Sequence, residues 1–111
     1  MLSVVFYRTE SGREPVRDWF ATLSREDKKS IGIAIKTVQF GWPLGMPLVR
    51  KLDRGIWEIR SALKGRIARV LFSVQGNTVV LLHGFIKKVG KTPTHDLHLA
   101  KMRMAKLGDT P

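Results

Sequence analysis

The stretch RIARVLFSVQGNTVVLLHGFIKK, residues 66–88, restricts the fold more than any other part of the chain. Two apolar runs rich in valine, leucine and phenylalanine are joined by QGN, a connection long enough only for a reversal. Side chains of this type suit a pleated, half-buried surface, and Gly-Asn between two such runs is a tight hairpin signal. The pattern predicts antiparallel strands over 66–74 and 77–88. A third strand, IWEIRS (56–61), precedes them across the turn ALKG. Its alternation puts Trp57 and Ile59 on one face and Glu58 and Arg60 on the other. Strict alternation along the last strand puts His83, Phe85 and Lys87 on one face and Val80, Leu82 and Ile86 on the other.

The first half reads differently. LSVVFY (2–7) is a short strand, ended by RTESGRE. Pro15 suits the first turn of a helix, and Val16, Trp19, Phe20 and Leu23 follow at helical spacing. Ser24 and Asp27 form a capping-box pattern that opens a longer helix. Ile31, Ala34, Ile35 and Val38 make its apolar stripe, and Gly41 and Pro43 end it. The two helices, almost without a linker, are expected to form a helical hairpin. Residues 41–55 read as a loop by their glycines and prolines. TPTHDLHLAKMRMAKL (92–107) is a closing helix, with Thr92 as cap and Pro93 at its first position. The order predicts one domain over residues 1–111, of class α+β: a small twisted antiparallel sheet with an N-terminal helical hairpin and a C-terminal helix. One sheet face is expected to pack on helices, the other to be wet.

The formal charge of +11 points to a polyanionic partner, nucleic acid first. Its placement says more than its size. Residues 50–91 hold ten Lys and Arg against two Asp and Glu, so the excess concentrates in the strand-rich segment. The N-terminus lacks the pattern of a secretory signal, and no apolar run approaches the roughly 20 residues of a membrane span. A soluble cytoplasmic protein with no membrane role is expected.

Most catalytic motifs are missing. The chain has no cysteine, which excludes disulfides, thiolate metal sites and thiol nucleophiles. Neither a phosphate-binding glycine loop nor a GxSxG elbow is present. His95 and His98 stand three apart on the last helix without a third ligand, a spacing that reads as two surface histidines. No metal and no cofactor is expected.

The basic residues on strands remain. Arg60, Arg69, His83, Phe85 and Lys87 lie on or at the ends of consecutive strands. Whether Arg60 and Arg69 share the face of the other three depends on register. A patch of Arg, Lys, His and an aromatic suits an RNA backbone and its splayed bases. On this reading Arg50, Lys51, Arg54, Arg66, Phe85 and Lys91 contact RNA, with Phe85 either stacking a base or filling core. RNA is cut without metal when its own 2′-OH attacks the neighbouring phosphorus. The protein must align that attack, stabilise charge and move two protons. Arginine suits the charge role and is a poor base. The base is either Lys87 or Lys88, lowered by neighbouring cations, or His83.

WEIR, RVLF and LLHGFIKK…KTP, in this order and followed by a Lys/Met/Arg-rich helix, resemble the HigB-like, phage-derived branch of the RelE/ParE toxin superfamily. The resemblance covers nearly the whole chain. It implies a RelE-like fold and the toxin of a type II toxin–antitoxin pair, a ribosome-dependent mRNA endoribonuclease that inhibits translation. It implies mRNA, the ribosome and a cognate antitoxin of helix-turn-helix type as partners, with operator DNA reached only through the antitoxin. Carried over to this chain, Arg69 meets the scissile phosphate, Arg60 is a second phosphate contact, and Lys87 and Lys88 fill the last-strand basic position. The C-terminal tyrosine of some RelE members has no counterpart, since Tyr7 is the only tyrosine, and no acid stands near His83 in sequence. Two other readings remain: a ParE-like, non-catalytic inhibitor of DNA gyrase, and a non-catalytic nucleic-acid-binding module.

Overall fold

The computed structural model describes residues 1–88 and 90–108. The chain runs β1 (Ser3–Phe6), α1 (Pro15–Ala21), α2 (Arg25–Gly41), β2 (Val49–Asp53), β3 (Ile56–Leu63), β4 (Arg66–Gln75), β5 (Thr78–Lys87) and α3 (Thr94–Gly108). Pro15 opens α1, and the Ser24 hydroxyl accepts from the Asp27 amide at the start of α2. Gly76, at φ +60°, makes the reversal between β4 and β5.

The five strands form one sheet in the order β1-β5-β4-β3-β2. It is mixed, not antiparallel as expected: β1 pairs with β5 in parallel, Ser3 opposite Thr78 through Phe6 opposite Leu81. The helices carry the chain from β1 at one edge to β2 at the other. Three reversals then bring β5 back beside β1, running in the same direction. β2 lies inside the segment read as a loop. Its VRKLD has little apolar pattern, but pairing with β3 satisfies its backbone. The expected N-terminal helical hairpin is also not shown. The chain begins on a strand, and α1 packs on β5 while α2 packs on β3. A two-turn helix buries its apolar side best on a broad sheet.

Both sheet faces are covered. Val16, Ile31, Ala34 and Val38 of the first two helices pack on Ile59, Val70, Phe72 and Leu81. On the other face Ala100, Leu97 and Met104 of α3 pack on Ile56, Leu71, Val80 and Leu82. The second face is therefore wet only at the end that carries Arg60, Ala62, Ile67 and Lys87, which are at most half-buried. Among the described residues no helix is long and apolar enough to cross a membrane.

Candidate active site

Register answers the question that alternation left open. Arg60 lies directly opposite Arg69, and Arg69 directly opposite Phe85. Ala62, Ile67 and Lys87 form the next row, and Glu58, Leu71 and His83 the row before it. All share the α3 side of the sheet.

A bulge decides this. Leu71 pairs with His83 but Phe72 pairs with Leu81, so Leu82 is an extra residue in β5. An extra residue reverses the facing of everything beyond it. Val80 and Leu82 therefore share the α3 side with Phe85, while Ile86 packs on the opposite side. Strict alternation had grouped Val80 and Leu82 with Ile86.

Arg69 is not on a wet face. It is 1 % exposed. Its Nη1 lies 3.5 Å from Oε1 of the fully buried Glu58. Its Nη2 donates to the Gly90 carbonyl, and its Nη1 lies at the outer hydrogen-bond limit, 3.5 Å, from the Thr92 hydroxyl. That hydroxyl donates to Glu58 rather than capping α3, which starts two residues later. Two arginines directly opposite each other repel. Glu58 compensates one of them, and the pair also ties the basic loop after β5 to the sheet. Arg60 differs. Among the described residues no hydrogen bond or ion pair holds its guanidinium; its Nε, like that of Arg69, is buried without a partner. It lines a cavity of about 350 Å³ with Pro47, Leu48, Ala62 and Ile67.

His83 meets the acid that its sequence neighbourhood lacks. Its Nε2 lies 2.6 Å from Oδ1 of Asp96 in α3. Its ring stacks on Phe85 at 5.6 Å, so Phe85 packs within the α3-side cluster. Arg103, one to two turns further along α3, donates from Nη1 to the Leu82 carbonyl at 2.7 Å and stands 3.5 Å from His83 Nδ1. Burial pushes its guanidinium below the ordinary value, although the Tyr7 hydroxyl opposes this. No carboxylate pairs with it among the described residues. His83 and Arg103 line a second cavity of about 250 Å³, with Pro15, Val16, Trp19 and Gly84.

The remaining basic residues divide. Arg50, opposite Glu58, joins the α3 side. Lys87 lies there too, its ammonium donating to the Lys91 carbonyl at 3.3 Å, with Lys88 and Lys91 exposed beside it. Lys51 and Arg66 do not face the site: Lys51 sits over Trp57 on the α2 side, and Arg66 pairs with Asp27 of α2. Arg54 occupies the β2–β3 turn, the end of the sheet away from Arg60. Glu58, Asp96 and Arg103 were missed by sequence reading. Only Glu58 left a signal, as the lone acid on the basic side of its strand. Among the described residues no group of three or more His, Asp or Glu could hold a metal ion.

This arrangement holds an imidazole by a carboxylate, sets an uncompensated guanidinium beside it, and extends a basic surface away from both. A comparison with curated proteins finds no match. The family described as "Phage derived protein Gp49-like (DUF891)" matches residues 18–105, which contain Glu58, Arg60, Arg69, His83, Asp96 and Arg103. The chain therefore belongs to the phage-derived Gp49-like family, in the RelE-like toxin–antitoxin group.

Proposed function

We propose that the chain is the toxin of a type II toxin–antitoxin pair and cuts mRNA on the ribosome by activating the RNA's own 2′-hydroxyl. The observation that carries this reading is the His83–Asp96 pair, 2.6 Å apart, on the basic side of the sheet. With Nε2–H donating to Asp96, the ring is fixed and Nδ1 is left as an acceptor. A phosphodiester held by Arg103 lies against that nitrogen. Nδ1 takes the 2′-OH proton as the 2′-oxygen bonds to phosphorus. The bond to the 5′-oxygen breaks, and that oxygen takes a proton from water. The products are a 2′,3′-cyclic phosphate and a 5′-hydroxyl. The Arg103 guanidinium balances the extra charge on the phosphate without any gain or loss of protons. Lys87, Lys88, Lys91 and Arg50 hold the flanking backbone. In this reading Lys87, whose Nζ donates to the Lys91 carbonyl, holds backbone and His83 is the base. Arg69, enclosed by Glu58, Gly90 and Thr92, positions the loop that carries the lysines.

The test is cleavage of a ribosome-bound message by purified protein, with the ends of the products mapped. Wild type should give cyclic-phosphate ends. His83→Gln should lose about 10²–10⁴ in rate, the range typical of general acid–base catalysis. Asp96→Asn should keep the fold and lose rate. Intact message together with loss of gyrase supercoiling would replace this reading with the gyrase-inhibitor one. Full activity of His83→Gln would remove the proposed base.

A further inference from the structure

We infer that the groove beside Arg60 is a nucleobase slot that selects guanine over adenine in the RNA strand; this rests on the reading that RNA is the substrate. The lining gives the reason. Pro47, Leu48, Ala62 and Ile67 are apolar, and Arg60 is the only polar side chain among them. The cavity of about 350 Å³ is of a size that takes small flat ligands. Aliphatic walls accept the faces of a heteroaromatic ring without competing for its edge.

Arg60 supplies the edge. Its buried Nε lacks an acceptor, a state that costs stability in any protein. It also stands directly opposite the cation Arg69. Arg69 is compensated by Glu58 and Arg60 by nothing among the described residues. The sheet thus keeps a half-buried cation at the mouth of an apolar groove, and an incoming acceptor on its Nη groups offsets the uncompensated charge. A guanidinium offers donors only. It forks onto two adjacent acceptors, the O6 and N7 of guanine. Adenine puts its N6 amino donor where O6 would be. Lys87, in the same row as Ala62 and Ile67, lies ready for the phosphate of that nucleotide. From ordinary sheet spacings, the Cα atoms of Arg60 and His83 are about 12 Å apart, two strands and two residues away. The slot therefore serves a nucleotide flanking the cut, not the one being cut.

The experiment titrates guanosine monophosphate, adenosine monophosphate and 7-deazaguanosine monophosphate into the isotope-labelled protein. It follows the amides of Leu48, Ala62 and Ile67. Guanosine monophosphate should shift these amides and bind roughly fivefold to a hundredfold more tightly than either of the others, since each lacks one acceptor of the fork. Ala62→Phe, at an exposed strand position, should fill the slot and abolish those shifts while leaving the rest of the spectrum in place. Equal affinity for all three nucleotides would overturn the slot. So would shifts confined to Lys87, Lys88 and Lys91, or no binding at millimolar concentration. Message cleavage without any guanine preference overturns the slot alone. Guanine-selective binding with no message cleavage under any condition overturns the RNA-cutting reading and leaves the slot standing.

Discussion

Arg69→Ala should be a stability mutation before it is an activity mutation. Arg69 and Glu58 are 1 % and 0 % exposed, and Arg69 is the principal charge facing that buried carboxylate. Removing the arginine leaves Glu58 buried and uncompensated and opens a cavity between β3 and β4. Breaking a buried pair from one side typically costs about 3–5 kcal/mol. For a domain of this size each kcal/mol lowers Tm by about 4 °C, so a drop of about 12–20 °C is expected. The cost comes mainly from the orphaned carboxylate, so Glu58→Gln in the same chain should recover more than half of it. Thermal and urea unfolding of wild type, both single variants and the double variant complete the cycle. The loop of Gly90–Thr92 should also lose protection in hydrogen exchange, because Arg69 and Glu58 both hold it. An Arg69→Ala protein with a Tm within about 3 °C of wild type would refute the argument. It would restore the picture of an arginine on a solvated strand face.

Gly84→Ala should destabilise by about 1–3 kcal/mol through overpacking, because a Cβ there would overlap the six-membered ring of Trp19. Trp19→Leu should recover part of that loss in a denaturation cycle, and an unaffected Gly84→Ala would show that α1 sits farther from β5. Asp53 donates nothing but accepts from Lys101 and from the Arg54 amide, and these hold its carboxyl below the ordinary 3.8. A depressed carboxylate contributes stability above its unfolded value, and that contribution is lost as pH falls through the folded one. Lys101→Met should accordingly flatten the acid end of the stability–pH curve, and an unchanged acid slope would count against the contact.

Local chemistry alone determined most of the elements. Gly76-Asn77 between two apolar runs requires a hairpin, Pro15 and Ser24 open helices, and the stripe Ile31–Ala34–Ile35–Val38 requires something apolar to lie on. These signals act over a few residues, so they are readable without knowing what lies across from them. The concentration of cations in 50–91 was readable for the same reason, as was the match of WEIR, RVLF and LLHGFIKK to a toxin-like family. Pairing was not. That β2 is a strand, and that β1 joins β5 in parallel, depend on hydrogen bonds between segments far apart in the chain. The site depends on such pairings still more. One unpaired residue, Leu82, turns His83 toward α3, and a bulge leaves no mark in the alternation that would reveal it. Asp96 reaches His83 only because α3 folds back across the sheet. Arg60 and Arg69 look alike in sequence, each on a strand among apolar neighbours. Register sets them face to face, and the burial of Glu58 beside one of them makes Arg69 a structural tie and leaves Arg60 without an ion pair among the described residues.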